Sequence, residues 1–162
     1  MTEKINLIKI LVQDQLTEIA DPLVRSALEK LLIEPVLHFR EWDYSSDHEM
    51  LECWTIAIDW SSDTSIIYSE FGYGPKNPWG LVTTSFPNFG MDSAWHQDLK
   101  SCFLESFAVG KLPIWFIERR ADLNHPEIIQ ENLTLDQAFE IINIITKQNK
   151  EYFVEARKYD FP

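Results

Sequence analysis

At 162 residues the chain has room for one globular domain with a sizeable core, residues 1–162, and not for two of ordinary size. Its 45% apolar and 13% aromatic content argue against a disordered or fibrous protein. Its formal net charge of −12 argues against direct binding to nucleic acid or to an anionic membrane, because both need a basic footprint, and suits a basic partner.

The first residues, "MTEKINLIKILVQDQ", place Ile5, Ile8, Leu11, Val12, Leu16 and Ile19 at helical spacing, with Thr2 as a cap. They lack a small-residue cleavage site, so they read as an amphipathic helix and not a signal peptide. In "ADPLVRSALEKLLIEP", Asp21 caps, Pro22 suits the first helical position and Pro35 stops the helix, which predicts a second helix over about 22 to 33. From Val36 the period shortens to two. "VLHFREW" sets Leu37 and Phe39 against His38, Arg40 and Trp42, and "CWTIAIDW" sets Trp54, Ile56, Ile58 and Trp60 on one face, which marks Trp54 and Trp60 as core. "SIIYSEF" and "GLVTTSF" follow as two further strands. Asp92 or Ser93 then caps a helix through about 107, with Trp95, Leu99, Cys102, Phe103 and Phe107 inward. "PIWFIE" is a fifth strand. The last stretch begins with Thr134 and Gln137 in capping-box spacing and continues as an amphipathic helix through Ala138, Phe139, Ile142, Ile145, Tyr152 and Phe153. The fold class is α+β, a mostly antiparallel sheet of four to five strands with N-terminal and C-terminal helices packed on one face.

The run "EFGYGPKNPWGLV" collects Gly72, Gly74, Pro75, Lys76 and Pro78. A phosphate cradle needs successive backbone N–H groups with a helix N-terminus behind them. The two prolines remove donors, and a strand pattern follows Gly80, so the run reads as a rigid connection between strands.

Catalytic and metal chemistry find little support. The two cysteines, Cys53 and Cys102, are too far apart for a short-spaced ligand pair and give no disulfide framework, which fits a reducing cytoplasm. Cys102 falls in an apolar stripe and reads as core. His38, His48, His96 and His125 make no metal-ligand spacing. "DYSSDHEM" is oxygen-rich but lacks the glycine and terminal glutamate spacing of a calcium loop. No metal and no cofactor is expected, nor any membrane span.

The charge itself is the stronger signal. Glu41, Asp43, Asp47, Glu49, Glu52, Asp59, Asp63 and Glu70 lie in residues 41–75 without one Lys or Arg among them. Trp42, Tyr44 and Tyr73 stand beside them as candidate anchors, so charge steers a basic protein in and aromatic rings hold it.

"REWDY", "CWTIAI", "YSEFGYGPKNPWGLV" and "GMDSAW" resemble stretches of a set of small bacterial proteins, and the size and acidity resemble immunity proteins of contact-dependent inhibition and related polymorphic toxin systems. That resemblance implies a cytoplasmic protein that binds one cognate toxin domain, often a basic nuclease, and blocks it stoichiometrically without turnover. Two other readings stay open. One is an enzyme whose site gathers distant residues such as His38, Arg40, Asp47 and His48. The other is an acidic adaptor or regulatory subunit for a different basic protein.

Overall fold

A computed structural model describes residues 2–42, 48–70, 76–89, 94–120, 126–148 and 153–160. The chain forms two compact units, Met1–Ala108 and Val109–Pro162, each with its own antiparallel sheet. The α+β class holds.

In the first unit, α1 (Thr2–Glu18) buries Ile8, Val12 and Leu16, the expected stripe. The Asp21 carboxylate caps α2 (Pro22–Glu29) by accepting from the N–H groups of Leu23 and Val24 at 2.8 and 2.9 Å. The helix stops at Glu29, short of the expected residue 33, and β1 (Leu32–Glu41) follows at once. Pro35 therefore does not terminate a helix but sits inside a strand. It is tolerated there because β1 is an edge strand whose register shifts between Leu32 and Val36, where a missing N–H breaks no regular ladder.

The strands β1, β2 (Met50–Asp59), β3 (Thr64–Tyr68), β4 (Trp79–Thr83) and β5 (Ala94–His96) form a meander in that spatial order. Leu37 opposes Trp54, Phe39 opposes Glu52 and Glu41 opposes Met50 on the face that α1 approaches, since Lys4 of α1 pairs with Glu52. His38, Arg40 and Trp42 belong to the other face. There a buried cluster of Cys53, Ile67, Val82 and Phe89 is completed by Leu51, Trp42 and Trp95. The Trp42, Phe89 and Trp95 rings meet at centroid distances of 5.4 to 6.2 Å. Trp95 lies over Gly80, where an added Cβ would stand 3.0 Å from the indole and 3.2 Å from the Ile67 side chain, so a larger residue there would have to displace the ring by a few tenths of an ångström.

Arg40 is 5% exposed, unusual for a cation with no carboxylate partner among the described residues. Its Nη1 donates to the carbonyls of Thr83, Phe86 and Asn88, which fastens the segment after β4 across the second face. The Phe89 N–H donates to the Glu41 carbonyl and reinforces the strap.

Two further expectations fail in this unit. Trp60 is not core: it is 76% exposed, because the register shift between Thr55 and Ala57 resets the alternation and β2 ends at Asp59. The helix expected from about 93 to 107 is divided. Trp95 and His96 belong to β5, α3 spans only Leu99–Leu104 with Asp98 as its cap, and Phe107 begins a 3-10 turn (Phe107–Lys111) with its ring exposed. The Asp98 carboxylate caps α3 by accepting from the Ser101 N–H at 2.7 Å. Asp92 and Ser93 lie outside the described residues.

In the second unit, β6 (Trp115–Arg120) is central between β7 (Pro126–Leu133) and β8 (Phe153–Lys158), and α4 (Leu135–Gln148) covers one face. Ile117, Leu133 and Ala138 form the core with Trp115, Ile141, Ile142, Val154 and Ala156. The capping box is present: the Gln137 N–H donates to Thr134 Oγ1 at 3.3 Å and the Thr134 N–H to Gln137 Oε1 at 2.9 Å. The expected single long helix is corrected, since it ends by Gln148 and Phe153 opens a strand. Val154 and Ala156 alternate with Glu155 and Arg157, a period-two pattern hidden in helix-prone residue types. Phe139 points outward and Ile141 takes its expected place. On the face opposite α4, Glu118 and Glu155 bind Arg120 at 2.6 and 3.2 Å, and Arg157 joins Glu155 at 2.6 Å.

Candidate acid and apolar binding surface

The acidic belt divides along β2. That strand has ten residues, so its ends lie about 30 Å apart at roughly 3.3 Å per residue. Glu41, Glu49, Glu52 and Glu70 gather at its start, whereas Asp59 and Asp63 stand at its finish. Asp43, Tyr44, Asp47 and Tyr73 lie outside the described residues.

At the start of β2, strand pairing builds a block of four side chains on one face: Phe39 opposite Glu52, and Glu41 opposite Met50. Phe39 is 58% and Met50 55% exposed, so two apolar side chains stand in solvent beside the half-buried Glu41 and Glu52. Phe39 and Met50 were missed by sequence reading. Phe39 shares parity with half-buried Leu37, so alternation alone does not separate the exposed ring from its neighbour. Glu41 pairs with His48. Glu52 pairs with Lys4 and accepts from the Trp54 indole N–H at 3.1 Å. The Lys4 bond first, and the Trp54 bond second, hold the Glu52 carboxyl below the usual carboxylate range. Lys4 is raised by the same bond, with Glu70 adding to its field. Glu49 and Glu70 are exposed. Trp42 is half-buried in the aromatic cluster of the opposite face.

At the finish of β2 the carboxylates shape the turn. Asp59 accepts from the Ser61 N–H and the Ser61 and Ser62 hydroxyls at 2.6 to 3.1 Å. The Asp63 carbonyl accepts from the Thr84 N–H at 2.8 Å, and its carboxylate accepts from the Ser85 N–H at 3.0 Å and from the Ser85 hydroxyl.

Among the described residues of the enzyme reading, His38 and Arg40 share a face and His48 does not join them. Arg40 is engaged with three carbonyls on the second face, His38 shares that face, and His48 pairs with Glu41 instead. Asp47 lies outside the described residues. Burial pushes the Cys53 thiol up to about 11 and the Cys102 thiol higher still, so neither is poised as a thiolate. Among the described residues no group of three or more His, Cys, Asp and Glu is placed to hold a metal ion, and no helix is long and apolar enough to cross a membrane. The connection read between the third and fourth strands joins β3 to β4, and the Ser69 N–H closes it by donating to the Pro78 carbonyl at 2.8 Å; residues 71–75 lie outside the described residues. No family model, curated protein or solved structure matches the chain.

Proposed function

We propose that this chain is a cytoplasmic immunity-type protein that binds a cognate basic toxin domain and inhibits it stoichiometrically. The observation that carries the binding reading is the alternating block of Phe39, Glu41, Met50 and Glu52, with Glu49 and Glu70 beside it. Exposed carboxylates accelerate encounter with a basic surface, and adjacent apolar side chains slow dissociation once water is expelled. The form of the partner, a toxin domain with a basic substrate path such as a nuclease, rests on the resemblance in size, acidity and motifs.

Co-expression with the reading frame immediately upstream tests the proposal. That product alone is expected to arrest growth, and this chain is expected to relieve the arrest by forming an equimolar complex. Glu41→Lys with Glu49→Lys is expected to slow association, in a complex whose parent weakens with salt. Phe39→Ser is expected to speed dissociation instead. An upstream product without toxicity, or rescue that persists when no complex forms, sinks the immunity reading.

A further inference from the structure

The turn between β2 and β3 holds Trp60 in water at 76% exposure, yet its backbone is tightly defined. The Asp59 and Thr64 pair closes it, the Ser62 N–H returns to the Asp59 carbonyl at 3.2 Å, and the Asp59 carboxylate holds both serines. Asp63 has φ 52°, a left-handed conformation that Asp and Asn tolerate through local hydrogen bonding. Ser85 fixes the orientation of its carboxylate, and Phe86, the next residue, is 47% exposed. The Phe86 carbonyl is held in turn by Arg40. A large aromatic face, an oriented carboxylate and a second exposed ring are therefore set on segments tied to one another.

The Ser85 bonds use only part of the acceptor capacity of the Asp63 carboxylate, and among the described residues no cation pairs with it. We infer that this turn is a docking site for an arginine side chain of a basic protein partner, its guanidinium lying on the Trp60 indole and forking to Asp63. A planar guanidinium can stack on an indole face and donate in parallel to a carboxylate, whereas an ammonium lacks the flat face and the paired donors. The rigid turn lowers the entropic cost of burying Trp60. The inference rests on the reading that the partner is basic, and it adds a contact about 30 Å from the acid and apolar block.

The test needs no partner. N-acetyl-L-arginine amide is titrated to about 50 mM at constant ionic strength, because a single exposed cation–π contact is weak. The reporter is the Trp60 indole N–H resonance, assigned by its loss in Trp60→Phe. A saturable shift is expected, at least about threefold weaker for N-acetyl-L-lysine amide and for Asp63→Asn, a variant suited to φ 52° that keeps an acceptor for the Ser85 N–H. Absence of a shift overturns the inference, as does an equal response to the lysine compound, an undiminished response in folded Asp63→Asn, or shifts confined to Glu41 and Glu49. None of these results touches the immunity reading, which stands or falls on the upstream product and the Glu41 and Glu49 variants.

Discussion

His96 on β5 is half-buried with an Nε2 that has no hydrogen-bond partner among the described residues, and burial lowers its pKa below the ordinary 6.5 while Glu105 and Asp98 oppose the shift. His38 is lowered too, first by burial and then by the Arg40 guanidinium. The unfolded chain therefore takes up protons more readily than the folded one. Stability from these groups is complete above the unfolded value of 6.5 and is lost as pH falls toward the folded values. The urea midpoint is expected to be lower at about pH 5.5 than at about pH 7.5, a window in which ordinary carboxylates remain ionised. His96→Gln is expected to flatten that dependence, and an unchanged slope assigns it elsewhere. At the same scale, Arg40 and Trp60 exchange the roles their residue types suggest. Arg40 is buried because three carbonyls replace its water, and Trp60 is exposed because a register shift resets the strand.

Among the elements, those with local signals were legible. Asp21 with Pro22 started α2, and Thr134 with Gln137 started α4, because a cap is decided by side chains within three residues of the backbone groups they satisfy. Thr134→Ala removes the acceptor for the Gln137 N–H and is expected to destabilise the protein by about 1 kcal/mol. Thermal unfolding of parent and variant measures it, and an unshifted transition would mean that α4 stands on tertiary packing alone. Helix ends and short strands were less legible. "LLI" after α2 suits either helix or strand, and pairing of Leu32 with Ala57 decides for strand. β5, β7 and β8 were missed or absorbed into helices, since their apolar residues are few and their strand identity comes from neighbours far along the chain.

For the whole molecule, length suggests one domain while the chain forms two compact units. The meander and its helices are complete within residues 1–108, and the aromatic cluster lies wholly there. A chain cut to residues 1–108 is expected to fold alone, with parent-like near-ultraviolet dichroism, whereas residues 109–162 fall below the roughly 60 residues at which a domain is already marginal. A molten 1–108 fragment would show that the first unit depends on the second.

From the sequence alone follow the α+β class, the apolar stripe of α1, the caps of α2 and α4, the succession of strands from residue 36 and the acidic belt, because periodicity, caps and charge are local properties. Its candidate site was legible in part: Glu41, Glu49, Glu52 and Glu70 come together, while Asp59 and Asp63 stand at the far end of β2. Only the tertiary structure decided that division, the exposure of Phe39, Met50 and Trp60, and the burial of Arg40. Each depends on strand register and tertiary packing, which are set by residues far away in the chain.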